Sequence, residues 1–264
     1  MKPTLRHEDI VLLTDRIEAA QRGATAIPKL TDDFPAMNLA DGYAVQLSLR
    51  QRGLEKGMRQ VGWKAGLTSR AKMLQMGIDK PSIGFLMADM ARQDGAAIRT
   101  DDLIHPRVEC EVAFITRTSL AGAQITREEV LEATDFVVPA IEIIDSRFSG
   151  FKFDLPSVIA DNGSGARYVA GGRARDPRDI DIGTLGVVME KNGEIVTMGA
   201  CAAVMGHPAD AVALLVKVLH ELGETLPEGS FVMSGGITEA VAVKPGDLIM
   251  ARYQELGSVS ARFI

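Results

Sequence analysis

The chain has 264 residues, of which 46% are hydrophobic and 24% charged, and its formal net charge is -6 at pH 7. This composition is ordinary for a soluble globular protein, whereas nucleic-acid and anionic-membrane surfaces need a concentrated positive field. Because the chain has no long Lys/Arg run, we expect neither nucleic acid nor membrane as a partner, although a local basic group can still bind a small anion.

The first sixty residues are predicted to be helical. Apolar residues recur at helical spacing over residues 8–21 and then meet Gly23, a stop signal, and residues 39–55 repeat the pattern more loosely. We expect a helical N-terminal portion over residues 1–60 and a catalytic domain over residues 61–264, together forming one compact unit.

After residue 60 the chain is rich in β-branched residues. Short runs bounded by Gly, Pro or Asp predict strands over residues 59–66, 104–116, 136–145, 186–190, 231–234, 248–253 and 259–263. One helix interrupts them between Pro208 and Gly223, and Asn192-Gly193 predicts a tight hairpin turn. Helices gathered early and strands gathered late favour an α+β fold.

The two cysteines, Cys110 and Cys201, lie far apart in apolar stretches. Buried free thiols in a reducing cytoplasm are expected rather than a disulfide framework, and two cysteines cannot build a zinc cluster. The N-terminus lacks the apolar core of a signal peptide, and we expect no apolar stretch long enough to span a bilayer. The chain is therefore expected to be cytoplasmic.

Three glutamates form the candidate site. Alternate side chains of a strand share a face, so Glu109 and Glu111 lie side by side, and Glu142 falls within a second apolar run. Two carboxylates at such a short distance repel each other unless a proton or a cation lies between them. A set of oxygen-only ligands favours Mg²⁺ or Mn²⁺ as that cation. The alternative is that Glu109 and Glu111 line a solvated strand face and that Glu142 pairs with Arg147 or another base.

Lys64 is the other candidate, because it lies among small and apolar residues where a solvated lysine has little reason to be. It either projects into a cleft, where it stabilises an enolate or a carboxylate, or is an ordinary lysine at a strand edge.

Signals for other chemistries are weak. The sequence has no dinucleotide-binding or Walker-type loop, and the residues around Ser164 do not form a nucleophile elbow. The histidines are expected to be structural or solvated; they are His7, His105, His207 and His220.

Several motifs together resemble the hydratase/decarboxylase branch of the fumarylacetoacetate hydrolase superfamily. They occur in the family's order at Trp63–Ser69, Pro106–Glu111, Ala140–Arg147, Ala160–Asn162 and Ser234–Thr238. The resemblance implies the superfamily's mixed β-roll with a helical N-terminal portion, which is an α+β fold.

Within that branch the chain is more similar to the decarboxylases than to the hydratases. The stretches Arg147–Pro156 and Gly236–Val243 suggest this, and Pro81–Gly84 lacks an aspartate that hydratases usually carry there. The resemblance implies decarboxylation of 2-oxohex-3-enedioate to 2-hydroxypenta-2,4-dienoate and CO₂ in aromatic meta-cleavage catabolism, with a pathway hydratase as a partner. Hydration of the dienoate is the alternative, and a non-catalytic partner that shields the dienol is a further one.

The same resemblance implies roles for individual residues. Glu109, Glu111 and Glu142 match the ligands of Mg²⁺ or Mn²⁺, and Lys64 matches the catalytic lysine. The ion would act as a Lewis acid where negative charge develops on the 2-oxo group. The residues expected to bind or surround the oxo-acid substrate are Leu67, Ile83, Leu86, Ser164, Gly235, Gly236 and Thr238.

Overall fold

The computed structural model describes residues 2–69 and 81–264. The α-helices in these ranges are α1 (His7–Arg22), α2 (Leu39–Glu55), α3 (Arg127–Glu132), α4 (Leu155–Ala160) and α5 (Pro208–Glu221). The strands are β1 (Gln60–Gly66), β2 (Ser82–Met87), β3 (Ala91–Arg92), β4 (Ala97–Ile98), β5 (Arg107–Thr116), β6 (Thr134–Ile144), β7 (Gly165–Ala170), β8 (Gly186–Lys191), β9 (Glu194–Ala200), β10 (Phe231–Met233), β11 (Val241–Ala242), β12 (Leu248–Tyr253) and β13 (Gly257–Phe263). The predicted α+β class is confirmed.

The N-terminal helices begin and end at local sequence signals. Asn38 caps α2 in a reciprocal capping box with Asp41, and Gly23 is the C-cap of α1. The hairpin between β8 and β9 also follows from its sequence, because Asn192 and Gly193 take φ angles of 57° and 87°. Both angles are positive, as the tightest hairpin turns require.

The helical N-terminal portion packs against the short helix α4 and the loop at Phe148. Its apolar side chains form a small core with two residues of the later chain; the buried members are Leu13, Ile17, Leu30, Met37, Val45, Phe148 and Ala160. Buried Gln46 of α2 donates its side-chain amide to the carbonyl oxygens of Ile83 and Ile159, at 2.7 and 2.9 Å. The division at residue 60 stays a prediction.

The strands form two sheets within the described ranges. One has the order β2-β1-β10-β5-β6-β7-β3, with β11 also paired to β5, and the other has the order β4-β13-β12-β8-β9. The main apolar core contains side chains from both sheets and from α5. In the larger sheet β5 and β6 are antiparallel, with Glu109 opposite Glu142 and Glu111 opposite Ala140.

The helix α5 is the most apolar of the three long helices in the described ranges. The helical stretch Cys201–Glu221 is long and apolar enough to cross a membrane by length and composition, which corrects the expectation that no stretch would be. Its most apolar window is 56% buried, and the apolar side chains belong to the main core. A core helix of a soluble protein has this arrangement.

Candidate active site

Three glutamates meet where β5 and β6 pair. One carboxylate oxygen from each of Glu109, Glu111 and Glu142 lies within 4.8 Å of the others. Glu111 is 0% exposed and Glu142 is 1% exposed, so the alternative of a solvated strand face is wrong for Glu111. Like charges placed directly across two strands destabilise a sheet unless something neutralises them.

The surroundings of Glu111 fit a divalent cation. Burial first, and then the negative charge of Glu142, raise the pKa of Glu111 well above its ordinary value. Its Oε2 accepts a hydrogen bond from the backbone N–H of Gly235 at 2.7 Å, whereas its Oε1 accepts none within the described ranges. A buried carboxylate with one unpartnered oxygen beside two further carboxylates is stabilised by a hard cation, and the all-oxygen donors suit Mg²⁺ or Mn²⁺.

Lys64 neutralises one of the three carboxylates. Its Nζ lies 2.5 Å from Oε1 of Glu142 and donates a hydrogen bond to the carbonyl oxygen of Gly163 at 3.0 Å. The strand β1 runs between β2 and β10, so the interpretation of Lys64 as a strand-edge lysine is wrong. Glu142 therefore pairs with a base, as the alternative allowed, but Arg147 pairs with Asp161 instead.

The carbonyl group that contacts Lys64 belongs to a strained loop. Three consecutive residues, Asn162, Gly163 and Ser164, have φ angles of 53°, 60° and 59°. Non-glycine residues adopt this left-handed conformation only at a cost, so the surrounding contacts must hold it.

Two sets of contacts hold this loop. The side chain of Asn162 bonds to both the N–H and the carbonyl oxygen of Phe85, at 2.8 and 3.0 Å. The hydroxyl of Ser164 donates to Asp161 at 3.1 Å, and Asp161 forms a fully buried ion pair with Arg147. These contacts keep the Gly163 carbonyl beside Lys64.

A cavity of about 420 Å³ opens beside the carboxylates. The predicted site residues that line it are Lys64, Leu67, Glu109, Glu142, Ser164 and Gly236. Its apolar wall comprises residues that the sequence did not single out, namely Ile144, Phe151, Phe153, Val158 and Ala240. A small organic acid fits a cavity of this size. A larger cavity of about 650 Å³ beside α1 shares none of these lining residues.

Three predicted substrate contacts lie elsewhere. Ile83 and Leu86 are 0% exposed and belong to the main core, because all six residues of β2 are buried and both of its faces are covered. Thr238 is also buried, and its hydroxyl accepts a hydrogen bond from the backbone N–H of Cys110 at 3.3 Å. None of the three lines the cavity beside the glutamates.

Gly235 and Gly236 matter because a side chain at either position would collide with a neighbouring side chain. Gly235 has a φ of 106°, and a Cβ atom there would lie 2.1 Å from Oγ1 of Thr68. Its N–H bonds to Glu111, and Gly235 is not among the described residues that line the cavity, so its contact with substrate stays a prediction. A Cβ atom on Gly236 would lie 2.8 Å from Oε2 of Glu109, so a side chain there would push the Glu109 carboxylate aside.

The second sheet also reaches the site. The hydroxyl of Tyr253 in β12 accepts a hydrogen bond from the N–H of Glu111 at 3.0 Å and donates one to the carbonyl oxygen of Ala140 at 2.7 Å. Burial raises the pKa of Tyr253 well above its ordinary value, so the hydroxyl keeps its proton. The backbone position of Glu111 is therefore tied to both sheets.

Arg107 lines the cavity, although the sequence did not select it as a site residue. Its guanidinium carbon lies 4.2 Å from the ring centroid of Phe151. The strand alternation that paired Glu109 with Glu111 also places Arg107 on their face, and that signal would have found it.

Comparisons with known proteins give consistent results. The family model described as Fumarylacetoacetate (FAA) hydrolase C-terminal matches residues 36–264. A 4-oxalocrotonate decarboxylase of Pseudomonas sp. (strain CF600) is 52% identical over 264 residues, which is 100% of both chains. A 2-keto-4-pentenoate hydratase of Paraburkholderia xenovorans (strain LB400) is 39% identical, covering 93% of this chain and 91% of the hydratase.

A solved structure matches the whole fold. It is the 4-oxalocrotonate decarboxylase from Pseudomonas putida G7 complexed with magnesium and adipate, with a TM-score of 0.98, 49% identity and coverage of 100% of both chains.

Proposed function

The chain belongs to the fumarylacetoacetate hydrolase family, and on that premise we propose that it decarboxylates 4-oxalocrotonate (2-oxohex-3-enedioate) to 2-hydroxypenta-2,4-dienoate and CO₂. It is then a metal-dependent carboxy-lyase of aromatic meta-cleavage catabolism. The observation that carries the proposal is the cluster of three carboxylates with Lys64 on one wall of a small-molecule cavity. The higher identity to a decarboxylase than to a hydratase, 52% against 39%, supports the choice of reaction.

Glu109, Glu111 and Glu142 would hold the metal ion. When bound, Mg²⁺ or Mn²⁺ supplies Lewis-acid stabilisation for negative charge on a 2-oxo acid. The oxygen-only donor set and the unpartnered buried oxygen of Glu111 support this assignment.

The reaction moves one electron pair along the substrate. The C5–C6 bond breaks as CO₂ leaves, and its electrons form the C4=C5 bond. The former C3=C4 electrons form the C2=C3 bond, and the 2-oxo oxygen takes the negative charge. A proton on that oxygen completes 2-hydroxypenta-2,4-dienoate, and no covalent bond to the protein is required.

Lys64 is proposed to be the catalytic residue. Lys64 is 2% exposed and lines the cavity, and its ammonium group is fixed between Glu142 and the Gly163 carbonyl. A positive charge held in a site sheltered from water stabilises an oxyanion more strongly than the same charge in solvent, because the local dielectric is low. The ammonium can also supply the proton that the 2-oxo oxygen takes up.

Leu67, Ser164 and Gly236 are proposed to contact the substrate directly, because all three line the cavity. Ile144, Phe153 and Val158 add apolar surface to the cavity lining, and we propose that this surface limits the access of water to the bound substrate. Gly235 and Thr238 support the site from behind, through Glu111 and the backbone of Cys110.

Turnover tests the proposal directly. Purified protein supplied with 4-oxalocrotonate and Mg²⁺ is expected to release CO₂ and to form the dienoate, and a chelator should abolish both. Water addition to 2-hydroxypenta-2,4-dienoate without CO₂ release from 4-oxalocrotonate would identify a hydratase instead. A protein that catalyses neither reaction would be a non-catalytic partner.

We further propose that the enzyme is cytoplasmic and works in a complex with the pathway hydratase. Its dienol product is short-lived, so transfer to a neighbouring hydratase limits loss by tautomerisation. Size-exclusion chromatography of the two purified proteins tests the complex, and two unshifted peaks at micromolar concentration would contradict it.

A further inference from the structure

Arg107 differs from the other cation of the cavity in having no ion pair within the part of the chain that the structure describes. Among the described residues that line the cavity, the cations are Lys64 and Arg107. Lys64 is held by Glu142, whereas Arg107 forms no ion pair with any residue in ranges 2–69 and 81–264. A guanidinium that faces a binding cavity without a carboxylate is a receptor for an anionic group of a ligand.

Phe151 positions the guanidinium without neutralising it. The ring lies 4.2 Å from the guanidinium carbon, and a guanidinium above a ring keeps the N–H donors in its own plane available. Phe151 is itself held, because its ring contacts those of His105 and Phe153 at centroid distances of 5.0 and 6.0 Å. The cation is thus pre-positioned before any ligand binds.

The position of Arg107 relative to the glutamates suits a two-ended ligand. Arg107 and Glu109 are two residues apart on β5, so they share a face and their Cα atoms lie about 7 Å apart. Both side chains line the same cavity. This separation is comparable to the extended length of a six-carbon chain, so a ligand held by the glutamate cluster at one end reaches Arg107 with the other.

We propose that Arg107 binds the carboxylate that leaves as CO₂, at C6 of the substrate, and thereby selects dicarboxylic over monocarboxylic 2-oxo acids. This inference rests on the proposed function for the class of substrate. It assigns the 2-oxo acid end of the molecule to the glutamates of β5 and β6 and the far carboxylate to Arg107 at the start of β5.

The contact contributes to binding rather than to bond cleavage. A hydrogen bond from arginine stabilises a carboxylate through its negative charge. The C6 carboxylate loses that charge as the C5–C6 bond breaks and CO₂ forms. The interaction is therefore weaker in the transition state than in the bound substrate. Loss of Arg107 should raise KM by about 10- to 100-fold while kcat stays unchanged or rises.

A pair of unreactive ligands tests the assignment. 2-Oxohexanedioate lacks the C=C bond through which the electrons must move, and 2-oxohexanoate is the same molecule without the far carboxylate. Calorimetric titration of both, in the presence of Mg²⁺, is compared for the wild type, Arg107→Met and Arg107→Lys. The control is Arg252→Met, which removes an equal charge from an exposed pair with Glu190 in the other sheet.

The expected result is selective. Arg107→Met should weaken binding of 2-oxohexanedioate by about 10- to 100-fold and leave 2-oxohexanoate within about twofold, so that the preference for the diacid disappears. Arg107→Lys should retain part of the preference because it keeps the charge, and Arg252→Met should retain all of it. Titration with Mg²⁺ alone should give the same affinity in all four proteins.

Two outcomes would overturn the inference. If Arg107→Met weakens the binding of both ligands equally, Arg107 contacts the 2-oxo acid end or stabilises the fold. If the binding of both ligands is unchanged, Arg107 contacts neither ligand. CO₂ release by the wild type is measured separately. If the protein prefers the diacid through Arg107 yet releases no CO₂, the proposed function is refuted and the inference about Arg107 is supported. If the protein releases CO₂ but shows no such preference, the proposed function is supported and the inference is refuted.

Discussion

The ammonium nitrogen of Lys64 lies 2.5 Å from Oε1 of Glu142, in a part of the molecule where both side chains are almost completely buried. This ion pair joins β1 to β6, which are separated in the larger sheet by β10 and β5. One contact therefore connects the proposed catalytic group to a proposed metal ligand.

Substitution of Lys64 should separate catalysis from metal binding. In Lys64→Met the negative charge of Glu142 is no longer neutralised, so the affinity for Mg²⁺ should rise while kcat falls by about 10²- to 10⁴-fold. Calorimetric Mg²⁺ titration and steady-state decarboxylation measure the two effects. Lys244→Met, at an exposed position, is the control, and unchanged kcat in Lys64→Met would contradict the catalytic assignment.

Glu111→Gln should affect the metal-free and metal-bound protein differently. The glutamine oxygen can still accept the hydrogen bond from Gly235, and a buried negative charge is removed, so the metal-free protein should melt at the same or a higher temperature. The rise in Tm that Mg²⁺ causes should disappear, because one ligand charge is lost. Thermal melts with and without Mg²⁺ measure this, beside the exposed Glu128→Gln variant; a normal Mg²⁺-induced rise would refute Glu111 as a ligand.

The buried ion pair between Arg147 and Asp161 should be far more important for stability than an exposed one. Asp161→Asn leaves the Arg147 guanidinium buried without its carboxylate, so we expect the free energy of unfolding to fall by about 3 kcal/mol or more. Asp176→Asn breaks an exposed pair with Arg178 and should lower the free energy of unfolding far less, because solvent screens that pair. Denaturant unfolding compares them, and equal losses would contradict the expected dependence on burial.

His207 should make stability depend on pH. It caps α5 by accepting a hydrogen bond from the N–H of Ala209 at 3.1 Å, which requires a neutral ring, and burial together with the positive charge of Arg127 lowers the pKa of His207. The unfolded chain therefore takes up the proton at a higher pH than the folded one. The contribution of this group is complete above about pH 6.5 and is lost as the pH falls through the lower folded-state value.

A cap that does not titrate isolates this effect. His207→Asn keeps a side-chain acceptor at the N-cap, so its free energy of unfolding should fall less between pH 7 and pH 5 than that of the wild type. Denaturant unfolding at the two pH values measures the difference. Equal losses in both proteins would show that other groups account for the acid sensitivity.

Much of the fold could be predicted because its signals are local. Apolar spacing in the sequence predicts the range of α2, and Pro208 marks the start of α5. The helices α3 and α4 were missed because six residues are too few to show a helical period. The strand β2 was missed because all its residues are buried, so no alternation marks its faces.

The site was only partly predictable for a different reason. Glu109 and Glu111 share a strand, and strand alternation alone brings them together. Glu109 lies opposite Glu142 because of the register between β5 and β6, and Lys64 pairs with Glu142 because of the order of four strands. The periodicity of a sequence predicts neither strand register nor strand order. Phe151 and Phe153 reach the cavity through an irregular turn that no pattern marks.

The hydroxyl of Tyr253 connects the smaller sheet to the backbone of Glu111 in the larger one. It bridges the main chain of Glu111 and Ala140 and belongs to a strand close to the C-terminus. A change in the last hairpin that shifts this phenol would move the carboxylate of Glu111, a proposed metal ligand, without altering any of the three glutamates. Some substitutions outside the cavity should therefore weaken the affinity for the metal ion. A search for such variants should include the final twenty residues.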